Sequence, residues 1–133
     1  MSYLLDTNAC IEVLRGRNAT LKARLAATRF EELSLCSIVW AELYCGVRLA
    51  VDPSRELVRV HTAFGNWPRL PFDDPAAECY GEIRAHLRRA GQLIGANDLL
   101  IAAIAHANGR ILVTHNTSEF GRVPGLVIED WQA

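Results

Sequence analysis

Lysine is nearly missing from this chain of 133 residues: of 14 basic residues (Lys plus Arg), Lys22 is the only lysine. Fifteen acids leave a formal net charge of −1, which excludes a uniformly basic protein that coats nucleic acid but permits a local basic face. The arginines that remain favour bidentate contacts to phosphate or carboxylate. No apolar run approaches the roughly 20 residues of a membrane span. The N-terminus has no basic segment leading into an apolar run with a cleavage site, and Asp6 interrupts it early. No signal peptide is therefore expected, and the expected compartment is the cytoplasm. Cys10, Cys36, Cys45 and Cys79 form no C-x-x-C pair and have no matching histidine spacing, which speaks against a zinc site. They read as small buried apolar residues in a reducing compartment. There is no internal repeat and no low-complexity linker. Half the residues are hydrophobic and 22% are charged, so one globular domain over residues 1–133 is expected.

What is present is organised around Gly91–Gly109. From Leu99 to Ala107 every residue except His106 is apolar, the pattern of a helix packed inside a domain. Asp98 opens this stretch and is the only fixed charge between Arg89 and Arg110. Helix capping by Asn97 or Asp98 would account for it if nothing else did. His106 reads as a satisfied core histidine, and Trp40, Trp67 and Trp131 as packing or dimer residues.

The rest of the chain alternates short apolar runs with helical patterns. Tyr3–Leu5 reads as a buried strand that delivers Asp6 at its carboxyl end, before a helix from about Ala9 to Leu14. Asn18 caps a second helix. Leu33–Ile38 is a strand candidate running into a helix from about Val39 to Leu49, and Pro53 restarts a helix to about Phe64. Arg69–Phe72 is a brief strand weakened by two prolines. Asp74 before Pro75 reads as a helix cap, with the helix ended by Gly91. Ile111–Thr114 and Leu126–Ile128 are further strands. This order predicts an α/β domain with a parallel central sheet of about four to five strands and helices on both faces.

Three acids then stand apart: Asp6, Glu42 and Asp98. No Lys or Arg lies near Asp6 before Arg15, Glu42 is the only charge between Glu32 and Arg48, and Asp98 is isolated as above. A carboxylate taken out of water costs several kcal/mol unless it is paired, protonated or bound to a cation. The carboxyl ends of neighbouring parallel strands bring such groups within reach of one another. Oxygen-only ligation suits Mg²⁺ or Mn²⁺, and a hard ion on two or three carboxylates serves phosphoryl chemistry. The segment His115–Glu119, after a strand, offers Asn116 or Glu119 as a further position on the rim.

At these residues the chain resembles the PIN-domain ribonuclease toxins of the VapBC type. The matching pieces are Leu4-Leu5-Asp6-Thr7-Asn8, Ser37–Leu43 with Gly46, Ile94–Ala102, Leu112–Phe120, Val123–Leu126 and Glu129-Asp130-Trp131, ordered at full-length spacing. The resemblance implies a PIN-like fold and a Mg²⁺- or Mn²⁺-dependent endoribonuclease that hydrolyses RNA, with tRNA as the expected substrate. It implies that Asp6 and Asp98 hold the metal, that Glu42 joins them, and that a fourth position falls at Asn116 or Glu119. Many relatives have an acid where this chain has Asn116. The resemblance further implies a homodimer silenced by a small VapB-like antitoxin in a hetero-oligomer, with operator DNA bound only through the antitoxin. An RNA substrate asks for a basic rim, for which Arg84, Arg88 and Arg89 with His86, or Arg15 and Arg17, are candidates. The alternative class is a non-catalytic α/β domain that holds Mg²⁺ for regulation or interaction. A receiver of that kind would want paired acids after its first strand and a lysine after its last, and the chain has neither.

Overall fold

The computed structural model describes residues 1–133. Its first strand, β1 (Tyr3–Leu5), is apolar on consecutive residues because both of its faces are covered, and Leu4 and Leu5 are wholly buried. β1 pairs in parallel with β2 (Leu33–Cys36) on one side and with β4 (Ile111–Val113) on the other. Beyond them lie β3 (Arg69–Leu70) and β5 (Ile128–Glu129), giving an all-parallel sheet in the order β3-β2-β1-β4-β5. The path steps one way from β1 to β3 and then crosses back to β4 and β5. Right-handed crossovers place the helices of the first half on one face and those of the second half on the other. The helices are α1 (Thr7–Arg15), α2 (Ala19–Ala27), α3 (Ser37–Leu49), α4 (Pro53–Phe64), α5 (Asp74–Arg89), α6 (Ala96–Ala107) and α7 (Thr117–Phe120). α1, α3 and α4 pack on one another, while α5 lies against α6. This is the expected architecture, five-stranded.

α6 is the helix read as internal, and Leu99 and Ile101–Ala105 are buried along it. Its last turn emerges, so His106 is exposed rather than a core histidine, with its Nδ1 4.0 Å from Cys79 Sγ. Two cysteines also depart from expectation: Cys10 and Cys36 are buried, but Cys45 is exposed and Cys79 only half-buried. Of the tryptophans, Trp67 and Trp131 are buried. Trp40 is half-buried, with the Arg69 guanidinium 4.3 Å above its ring.

Several boundaries shift by one cap. Asp6 is itself the cap of α1, accepting from Ala9 N–H at 2.8 Å, so the helix starts at Thr7 rather than near Ala9. β2 stops at Cys36, and Ser37 and Ile38 already belong to α3. Asp73, not Asp74, caps α5, accepting from Ala76 N–H at 3.2 Å; Asp74 and Pro75 are the first helical residues. α6 begins after Gly95, which places Asp98 in the first turn and not at the cap. Ile128 pairs in β5, which runs on to Glu129 rather than starting at Leu126.

The C-terminal segment is pinned by Trp131. Its ring is 1% exposed, meets Tyr3 edge-on at 5.0 Å and carries the Arg24 guanidinium at 5.1 Å. Its Nε1–H donates to Glu129 Oε1 at 2.9 Å.

Four substitutions, in two pairs, test the packing of α6 and the cap of α5. Ile104→Ala removes a wholly buried branched side chain from α6 and is expected to cost about 2–5 kcal/mol, against about 0.5–1.5 for Ile104→Val. Asp73→Ala is expected to cost about 1 kcal/mol as a lost cap, and Asp74→Ala clearly less. Urea midpoints at unchanged slope report all four.

Candidate active site

In open α/β sheets the crevice that takes a ligand lies outside the carboxyl ends of the strands where the order reverses. Here that point is between β1 and β4, and Asp6 sits on it. Its backbone N–H donates to Val113 O at 3.1 Å, extending the ladder by one rung. Its side chain is 3% exposed. Burial raises the Asp6 carboxyl above the ordinary carboxylate value; hydrogen bonds from Thr114 and from the Ala9 N–H oppose this, and the neighbouring Glu42 charge adds to it. Cap geometry and burial together fix this carboxylate in one orientation, with Thr114, 1% exposed at the end of β4, beside it.

Glu42 arrives from the second turn of α3. Thr7, the residue after Asp6, donates its hydroxyl to Glu42 Oε1 at 2.5 Å, and Asn97 Nδ2 reaches Oε2 at 3.4 Å. One carboxylate thus ties the starts of α1 and α6 to α3.

Asp98, from the first turn of α6, has its carboxyl pushed up to about 6, first by burial and then by the charges of Asp6, Glu119 and Glu42. Those three neighbours define the cluster. Glu119 lies on α7, a helix absent from the expected elements. Asn116 Nδ2 donates to Glu119 Oε2 at 2.8 Å, and the Asn116 backbone N–H donates to Thr114 Oγ1 at 3.0 Å. Of the two residues offered for the fourth position, Glu119 carries the charge and Asn116 orients it.

None of the four acids forms an ion pair with a Lys or Arg; every such pair in the molecule lies elsewhere. No three acidic, histidine or cysteine side chains stand close enough to grip one ion directly. The donor set is all oxygen, partly desolvated and mutually repelling. This suits a hard cation that keeps several waters and touches one or two carboxylates.

The basic candidates are placed differently. Arg84 NH1 donates to the Tyr80 hydroxyl at 2.8 Å on its own helix. Because α5 and α6 run antiparallel, Arg88 and Arg89 in the last turn of α5 lie toward the end of α6 that bears Asp98. Arg15, at the end of α1, pairs with Glu12 at 2.7 Å, and Arg17 is exposed just beyond it.

Thr7, Asn97 and Thr114 hold the acids, and nothing in the sequence singles out a threonine after an aspartate. Asn97 reads from the sequence only as a helix cap, and Thr114 is signalled as the first polar residue closing an apolar run.

The PIN domain family model matches residues 3–126. The tRNA(fMet)-specific endonuclease VapC of Shigella flexneri is 35% identical over 131 residues, covering 98% of both chains. A DNA-bound VapBC structure from Salmonella typhimurium superposes with a TM-score of 0.92 at 34% identity, covering 98% of each chain. A VapBC structure from Rickettsia felis, bound to a DNA fragment from its promoter, gives 0.89 at 32% identity, covering 98% of this chain and 99% of that one. With the acidic crevice at the sheet's reversal and likeness along the whole length, this chain belongs to the PIN domain family, among its VapC toxins.

Proposed function

We propose that the chain is the toxin of a toxin-antitoxin pair and a metal-dependent endoribonuclease, with Mg²⁺ or Mn²⁺ as its ion and RNA, tRNA above all, as its substrate. The observation that carries this reading is the cluster of four carboxylates, none paired with a Lys or Arg, one of them raised to about 6. Asp6 and Asp98 would hold the ion, with Glu42 and Glu119 joining directly or through water. When bound, the ion makes a coordinated water more acidic and offsets charge on the phosphate and the leaving oxygen. The chain's own residues supply orientation: Thr7 and Asn97 fix Glu42, Thr114 and the α1 N-terminus fix Asp6, and Asn116 fixes Glu119. Deprotonated acids then face the strand without a side-chain cation to displace. Arg88 and Arg89 at one border and Arg15 and Arg17 at another would receive the flanking phosphates.

Related VapBC structures hold toxin and antitoxin together on DNA, which supports an antitoxin partner here and operator contact through that partner. A groove of about 310 Å³ between α1, α3 and α4 has an apolar floor that includes Ile11, Leu14, Leu43, Val47 and Val60, and Glu42, Arg15, Glu56 and Arg59 also line it. It offers an apolar seat to an antitoxin segment whose basic residue would reach the acids. A homodimer is part of the same proposal. No helix is long and apolar enough to cross a membrane.

Incubation of purified protein with total RNA tests the reading. Cleavage is expected with Mg²⁺ or Mn²⁺, none with EDTA, and at least a 100-fold loss in Asp6→Asn and Asp98→Asn, about 2.7 kcal/mol of barrier. Asp6→Asn keeps an oxygen for the cap, so unchanged circular dichroism separates chemistry from folding. Fragments that persist in every arm overturn the nuclease, and ion binding without fragments would favour a regulatory Mg²⁺ domain.

The raised Asp98 carboxyl has a signed consequence. Its folded value lies above the ordinary 3.8, so the neutral form favours the fold, and stability from this group is lost as pH rises through about 6. In EDTA, Asp98→Asn is expected to raise the melting midpoint at pH 7.5 and to leave it nearly unchanged at pH 4. Added Mg²⁺ is expected to raise the wild-type midpoint at pH 7.5, as a ligand of the native state does, and not that of Asp98→Asn. Calorimetry measures both.

A further inference from the structure

Beside the acidic crevice lies a second hollow of about 420 Å³, lined by Asn8, Ile11, Glu12, Arg15, His115, Asn116 and Gln132. Ile11 is its only apolar wall, unlike the groove between α1, α3 and α4. It adjoins the carboxylates at two points: Asn116 is the residue that holds Glu119, and Asn8 follows Thr7, which holds Glu42.

The far wall is built. Asp130 Oδ2 meets His115 Nδ1 at 2.9 Å, and Oδ1 of the same carboxylate accepts the Gln132 N–H at 2.9 Å. Asn18 Nδ2 reaches Gln132 O at 3.4 Å, and buried Trp131 anchors the segment between them. With Nδ1 engaged, His115 has Nε2 free. Arg15 pairs with Glu12 through NH1 alone, leaving guanidinium donors unused.

We propose that this hollow is a nucleotide subsite, holding the RNA residue next to the cut bond and setting sequence preference. Its volume lies within the range of small-ligand pockets. Proteins read RNA sequence on splayed single-stranded bases, whose edges present donors and acceptors side by side. The primary amides of Asn8 and Gln132 match such an edge, since each carries both. Arg15 flanks them and takes the phosphate, with the His115 ring beside it. The crevice itself is acidic and repels a polyanion, so a neighbouring hollow with an arginine in its wall gives the strand a hold on the path to the acids.

This inference rests on the nuclease reading, and the test separates the two. Total tRNA is digested by wild type, Asn8→Ala, Gln132→Ala, Arg15→Ala and Asp130→Asn, and cut ends are mapped by sequencing. Asn8→Ala and Gln132→Ala are expected to change base preference by at least 3-fold at one position flanking the cut, with the other flank unaltered. Asp130→Asn, which keeps one oxygen for the Gln132 N–H but replaces the one that meets His115 Nδ1, is expected to shift the same position. For binding without turnover, a labelled mixed-sequence RNA octamer is titrated against Asp98→Asn by fluorescence anisotropy. Adding Arg15→Ala is expected to weaken it at least 3-fold and to lower the salt slope by about 0.7, one single-strand phosphate contact. Asn8 and Arg15 are exposed and Gln132 and Asp130 half-buried, so circular dichroism checks the fold. If wild type cuts and every variant keeps its base profile and salt slope, the subsite is overturned while the nuclease stands. If wild type cuts nothing, the nuclease reading fails first.

Discussion

Like charges gathered where water is scarce repel one another and must be held together by everything around them, and that constraint shapes the fold's working end. Asp6, at the end of β1, Glu42 on α3 and Glu119 on α7 each raise the cost of ionising Asp98 on α6, and Glu42 does the same to Asp6. A protein optimised only for stability would place an arginine there. With 13 arginines available, none pairs with the cluster, and the surface ion pairs formed elsewhere contribute little individually. The resulting strain is local and can be relieved only from outside the chain, which is what a site for a hard cation requires.

The sheet order makes the gathering possible. A single reversal between β1 and β4 opens one crevice, and neighbouring elements start at its mouth. Small polar groups then do the positioning: threonine hydroxyls, asparagine amides and a helix N-terminus, all neutral, all adding hydrogen bonds without cancelling charge. This neutrality matters, because a cationic positioning group would cancel the charge that it holds in place.

Much of this was legible in the residues. Asp6, Glu42 and Asp98 stand out because a charge inside a long apolar stretch has few structural excuses, and the short buried strands between helical patterns prescribe the parallel sheet. The fourth acid was not legible, since Asn116 and Glu119 both lie in a polar turn and only the hydrogen bond between them divides their roles. Asp73 and Asp74 are chemically identical neighbours, so sequence cannot say which one accepts the Ala76 N–H. His106, Cys45 and Cys79 were misjudged for one reason: residue type gives a preference for burial, but the face a helix turns to solvent is decided by how far it extends past the sheet. The polar hollow beside the acids was invisible because Asn8, Arg15, His115 and Gln132 are scattered along the chain.

The pairing of β1 with β4 also orders events during biosynthesis. β1 leaves the ribosome first, yet its second neighbour and Thr114 follow more than a hundred residues later. A nascent chain that has made β1, β2 and β3 can assemble part of the sheet, but it lacks Asp98, Glu119 and one wall of the crevice. The crevice is thus left unfinished by topology until β4 and α7 have been made.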